Sequence, residues 1–139
     1  MVLSSYTLDT DIVIEVLRGN QRVVARMDQL GPGTQISITG LTIYELYKGV
    51  AVMQDEDRRE EVEQFISSAE TLDLDLKAEK KAGEIYANLR SNGELISDAD
   101  ILIAAIVIAN DSILVTNNTK HFSRIEGLEF ENWLEEKHG

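Results

Sequence analysis

Residues Ile101 to Ala109 form an unbroken apolar run, Ile-Leu-Ile-Ala-Ala-Ile-Val-Ile-Ala. An element made from it has no polar face and must be covered on every side. The run is far too short to cross a bilayer. Its β-branched residues would permit a strand. Its length, the Ala104-Ala105 pair and the Ser97-Asp98 ahead of it predict a central helix instead. Asp98 and Asp100 therefore stand at the mouth of a buried element, where a carboxylate needs a partner.

Around that helix the chain alternates between strand-like and helix-like segments. Ser4 to Leu8 predicts a short strand, and Ile12, Val13, Val16 and Leu17 predict a helix ending near Gly19. A second helix is expected over 21–30. If nearly continuous with the first, it would align Arg18, Arg22 and Arg26 as a stripe that could guide a phosphate backbone. A solvated face or a contact with an acidic partner is an equal reading of that stripe. Gln35 to Thr39 alternates as a strand, and Thr42 is expected to cap a helix running to about Met53. The segment 55–70 predicts a charged amphipathic helix with Val62, Phe65 and Ile66 inward. Thr71 to Leu76 reads as a short strand or link, and Lys77 to Asn92 as a helix closed by Gly93. Ser112 to Thr116 follows as a strand, 117–119 as a loop, and Leu128 to Glu131 as a last strand before a short tail helix with Trp133. Such alternation predicts an α/β fold with a mainly parallel central sheet flanked by helices. Its 139 residues, 1–139, read as one domain able to bury a core.

The chain lacks cysteine, which excludes disulfides and thiolate metal sites and fits a reducing interior. No secretory signal is visible and no run is long enough for a membrane span, so a cytoplasmic location is expected. The formal charge of −12 opposes general affinity for phosphate backbones. A nucleic-acid role would need local basic groups, divalent ions or a basic partner.

Three acidic positions stand out chemically. Asp9 follows the first strand, at the edge where open α/β sheets bind ligands. It could equally cap the next helix, and Asp11 reads as the better cap. Glu45 in Thr42-Ile43-Tyr44-Glu45 and Asp100 in Ser97-Asp98-Ala99-Asp100 both fit a capping box. Each alone is more simply a cap, but together they place carboxylates at helix starts beside strongly apolar sequence. Converging carboxylates repel unless a cation neutralises them. Oxygen ligands without Cys suit a hard ion, Mg²⁺ or Mn²⁺, which can activate water for displacement at phosphorus. Thr116 and Asn118, at the end of a later strand, could position water or an outer ligand, although an Asx-turn also explains Asn118. His121 reads as a surface residue.

With these residues in place, the chain resembles PIN-domain ribonucleases, specifically the VapC toxin family of prokaryotic toxin–antitoxin pairs. The resemblance is carried by Leu8-Asp9-Thr10-Asp11-Ile12, Thr42-Ile43-Tyr44-Glu45-Leu46 and Ile96-Ser97-Asp98-Ala99-Asp100-Ile101. It continues through Leu114-Val115-Thr116-Asn117-Asn118-Thr119-Lys120-His121-Phe122 and Glu131-Asn132-Trp133. Each motif is short, and their order and spacing make the likeness specific. It implies a PIN-like fold, metal-dependent cleavage of RNA with Mg²⁺ or Mn²⁺, a homodimer, and silencing by a VapB-like antitoxin. That antitoxin would place a basic side chain in the acidic cleft, which suits the charge of −12. By the same resemblance Asp9, Glu45 and Asp100 are the metal-binding and catalytic acids, with Thr116 and Asn118 in supporting roles. The family's fourth acidic position falls at Asn118 or His121, neither an acid, which implies a single firmly held ion.

Two other functions fit parts of the sequence. A haloacid-dehalogenase-type phosphatase would use Asp9 as nucleophile and Asp11 as acid/base. A non-catalytic α/β binding module would use the acids only as helix caps.

Overall fold

The computed structural model describes residues 4–135. The elements run β1 (Ser5–Leu8), α1 (Thr10–Leu17), α2 (Gln21–Asp28), β2 (Gln35–Thr39), α3 (Gly40–Met53), α4 (Glu56–Ser68), β3 (Glu70–Leu72), α5 (Leu76–Ser91), α6 (Asp98–Ala109), β4 (Ile113–Val115), α7 (Thr119–Phe122) and β5 (Phe130–Glu131). The five strands form one sheet in the order β3-β2-β1-β4-β5, every neighbouring pair parallel. Parallel strands need crossovers, and the helices supply them on both faces.

Strand alternation divides the core in two. Leu8, Ile38 and Val115 turn to the face covered by α1, α2, α3 and α4, and Trp133 joins them there. Leu114 turns to the opposite face, where α5 and α6 pack. On α6, Ile101, Ile103, Ala104, Ala105, Ile106 and Val107 are all buried, as the apolar run requires. It lies against the sheet on one side and α5 on the other.

Turn chemistry sets several boundaries. Helix α1 ends with Gly19 at φ +74°, its N–H bonded to Val16 O while Asn20 N–H reaches Glu15 O. Helix α5 ends in the same paired pattern, with Gly93 at φ +67° bonded to Arg90 O and Glu94 to Leu89 O. The left-handed backbone at these two positions is why glycine stands there. β3 stops early because Asp75 caps α5, accepting from Ala78 N–H at 2.9 Å.

Three sequence expectations fail here. Helix α3 starts at Gly40 rather than at Thr42, because the Thr39 hydroxyl, at the end of β2, accepts from Thr42 N–H at 3.2 Å. The break at Gly19 prevents a single Arg18-Arg22-Arg26 stripe. Arg18 instead pairs with Glu15, Arg22 donates to Leu134 O, and Arg26 pairs with Glu131 at 2.9 Å. No helix forms around Trp133 among the described residues; the remainder of the expected tail helix lies outside them. Trp133 is only 2% exposed, packed against the Tyr6 ring and under the Arg26 guanidinium.

Candidate metal centre

Going outward from β1, the chain turns first to β2 and β3, then returns to the other side as β4 and β5. The carboxyl ends of β1 and β4 thus flank a topological switch point, where a crevice forms. Asp9 leaves β1 at that crevice and Thr116 leaves β4. Asp9 N–H bonds to Val115 O at 2.9 Å, locking the two strand ends together.

Asp9 is 8% exposed and caps α1. Its Oδ1 accepts from Thr10 N–H at 2.9 Å and its Oδ2 from the Thr116 hydroxyl at 2.8 Å. Burial, followed by the nearby Asp11 charge, pushes its pKa up to about 7; the Thr116 and Thr10 bonds pull the other way, and Asp100 adds a further push. Asp9, not Asp11, is therefore the helix cap, contrary to the sequence reading, because it holds the extended backbone that a cap requires. Asp11 lies in the first turn of α1. Its Oδ2 accepts from Asn117 N–H at 3.0 Å, while its Oδ1 is buried without a partner. Burial raises its pKa, the Asn117 bond opposes that, and the charge of Asp100 adds to the rise.

Asp100 opens α6 below the Ser97 cap, whose hydroxyl accepts from Asp100 N–H at 3.2 Å. The other face of Asp100 meets β4's trailing loop. Its Oδ2 lies 3.1 Å from His121 Nδ1 and 3.5 Å from Asn118 Nδ2. In one tautomer His121 donates to Asp100; in the other its Nδ1 accepts from Asn118 Nδ2 at 3.0 Å. His121 keeps the surface position read from the sequence, its side chain 41% exposed, and also joins this network. The short helix α7 brings it there, overlapping the loop expected over 117–119 at Thr119 alone. Asn118 makes no side-chain cap bond, so the Asx-turn reading fails. Instead Asn118 N–H donates to the Thr116 hydroxyl oxygen at 3.0 Å, tying this loop to Asp9.

Glu45 is the outlying acid. With α3 starting at Gly40, Glu45 lies beyond the first turn and forms no capping box. Its Oε1 accepts from the Thr10 hydroxyl at 2.9 Å, and that hydroxyl is also 3.2 Å from Thr42 Oγ1. Glu45 also lines a groove of ≈ 200 Å³ between α1, α3 and α4 with Ile14, Leu17 and Leu46.

The family model described as PIN domain matches residues 6–128. The chain belongs to the PIN domain family. Ribonuclease VapC2 of Haemophilus influenzae is 35% identical over 131 residues, covering 93% of this chain and 98% of that protein. The tRNA(fMet)-specific endonuclease VapC of Shigella flexneri is 33% identical, covering 92% and 97%. Among solved structures, VapBC2 from Rickettsia felis bound to a DNA fragment from its promoter superposes with a TM-score of 0.87 at 31% identity, covering 93% of this chain and 98% of that one.

The residues of this PIN domain fit a divalent cation. The donors are all oxygen, suited to a hard ion. Asp11 and Asp100 both press their charge on Asp9, and one Asp11 oxygen is buried with nothing bound to it. Among the described residues no group of three or more His, Asp or Glu side chains is placed to hold a metal ion by itself, so the fit rests on donor chemistry and charge. The two competing readings fare less well. The family match over residues 6–128 and the ribonuclease and endonuclease names of the relatives favour neither a phosphatase nor a bare binding module. A cap needs only Asp9 Oδ1, leaving the Thr116 bond and the charge cluster without purpose.

Proposed function

We propose that this PIN domain is a metal-dependent endoribonuclease, the toxin of a toxin–antitoxin pair, hydrolysing RNA phosphodiester bonds with Mg²⁺ or Mn²⁺. One observation carries the reading: a carboxylate buried at the switch point is crowded by two others, an arrangement that a divalent ion relieves. The names of its relatives, ribonuclease and endonuclease VapC, support the same chemistry.

Asp9 and Asp100 are the principal ligands, and Glu45 is a ligand or the base that orients water. A bound divalent ion would polarise water and the phosphoryl oxygens. Thr116 holds Asp9 Oδ2 in place by its hydroxyl, and Asn118, tied to Thr116 and facing Asp100, positions that carboxylate or the substrate. RNA binding in a chain of charge −12 then depends on the ion and on local cations.

A VapB-like antitoxin belongs to this proposal, supported by solved neighbours that are VapBC complexes. A basic side chain from it would neutralise the cluster as the ion does. A homodimer completes the reading, and light scattering tests it. No helix among the described residues is long and apolar enough to cross a membrane.

The test is cleavage of bulk tRNA and of a single-stranded RNA by purified protein with Mn²⁺, Mg²⁺ or EDTA. Wild type should cut only with the ion, while Asp9→Asn and Asp100→Asn should lose at least a hundredfold in rate with their circular dichroism intact. Cleavage at equal rates by all three proteins would overturn the assignment.

A further inference from the structure

Resting on the endoribonuclease reading above, we infer that a cavity beside the switch-point crevice is a subsite for one base of the RNA, where Glu131 selects guanine. The cavity measures ≈ 400 Å³, and Arg26, Thr119, Phe130, Glu131, Asn132 and Trp133 line it. That volume suits a small-ligand site. Its walls are bonded directly to the residues of the crevice. Thr116 N–H donates to Glu131 O at 3.0 Å, while the Thr116 hydroxyl holds Asp9 Oδ2. Asn132 Nδ2 donates to Asn117 Oδ1 at 2.9 Å, in the loop after β4. Thr119 follows Asn118, whose amide faces Asp100. β5 pairs with β4, so the two strand ends lie about 4.8 Å apart, within the reach of a single nucleotide.

Single-stranded RNA is recognised by bases laid on aromatic rings or arginine planes and bonded along their edges. The cavity carries those groups. Phe130 is half-buried, and Arg26 lies over the Trp133 ring, 5.8 Å from its centre. Glu131 is the informative residue, its side chain 33% exposed. Its Oε1 accepts from Arg26 at 2.9 Å and from the Trp133 indole N–H at 3.1 Å, which fixes the side chain and offsets its charge. Its Oε2 has no hydrogen-bond partner among the described residues. A carboxylate oxygen only accepts. Guanine presents two neighbouring N–H groups on its Watson–Crick edge, so it meets such an acceptor best.

A purely structural account gives Glu131 one task, to pin Arg26 and Trp133. Glu131→Gln separates the two accounts. The amide oxygen can keep both bonds, while the amide nitrogen turns the remaining acceptor into a donor. The chain has a single tryptophan, and its indole N–H is a built-in reporter. Proton–nitrogen correlation NMR in EDTA follows that resonance during titration with guanosine, adenosine, cytidine or uridine, neutral probes that need no ion. Guanosine should shift it saturably and bind at least tenfold more tightly than uridine. Glu131→Gln should erase that preference with its circular dichroism intact. Thr119→Phe, which fills the cavity from the start of α7, should lose the shift with every nucleoside.

Equal guanosine affinity in Glu131→Gln and wild type would leave Glu131 a structural pin and overturn its role. No shift with any nucleoside, beside Mn²⁺-dependent cleavage by the same protein, would overturn the subsite and leave the nuclease reading standing. No cleavage with any ion would overturn the nuclease reading, and with it RNA as the occupant.

Discussion

Asp9→Asn should stabilise the metal-free protein at neutral pH while abolishing its proposed activity. The carboxylate is 8% exposed, and its pKa is raised from 3.8 to about 7, burial being the main cause. A group whose folded pKa is raised favours the fold in its protonated form. Its contribution is fully present below pH 3.8 and is lost as pH rises through about 7. At about 1.36 kcal/mol for each pH unit, that window corresponds to roughly 4 kcal/mol of lost stability. Asparagine removes the charge. Its Oδ1 can still accept from Thr10 N–H, and its amide can donate to the Thr116 hydroxyl, which reverses its role. The substitution should therefore recover most of the loss, about 2–4 kcal/mol at pH 7.5, or roughly 10 °C in Tm for a chain of this size. At pH 4 the two proteins should melt together. Urea unfolding in EDTA at half-unit steps from pH 4 to 8 measures the difference. Parallel curves, with Asp9→Asn no more stable than wild type at pH 7.5, would refute the claim that this carboxylate is held against its own charge. In wild type alone, excess Mn²⁺ should restore stability at pH 7.5, by about 2.7 kcal/mol at a hundred times the Kd.

Two further substitutions probe what supports the site. Thr116→Val removes the donor to Asp9 Oδ2 and the acceptor for Asn118 N–H. It should cost about 1–3 kcal/mol. Because the lost bond lowers the Asp9 pKa, the midpoint of the pH–stability curve should move upward; Thr116→Ser should restore both in the same urea titrations. Ile103→Ala, in the middle of α6 at 2% exposure, should cost about 2–5 kcal/mol in urea unfolding and leave Mn²⁺ affinity unchanged.

Those substitutions mark the division between local and long-range information. The apolar run from Ile101 to Ala109 announced a covered helix because no neighbour could give it a polar face. The alternation of short strands with helices announced a parallel sheet because parallel strands need crossovers. Local pattern also placed Asp9 after a strand and Asp100 at a helix start, and those two stand at one edge of the sheet. What local pattern could not do was rank the bonds competing for each side chain. Asp9 and Asp11 are two residues apart, and local pattern favours Asp11 as the cap. The choice fell to Asp9 because β1 leaves its backbone extended and Thr116, far along the chain, claims its second oxygen. Thr39 outcompeted Thr42 as a cap for the same reason, since the end of β2 set the start of α3.

By itself, then, the sequence determined the layers and the acids, through periodicity and residue chemistry that act within a few positions. Only the tertiary structure decided that His121 faces Asp100, that Glu45 reaches the site through Thr10, and that Asp11 keeps a buried oxygen without a partner. Those contacts join residues separated by much of the chain. Their geometry comes from how β1 and β4 lie side by side, which no local pattern records.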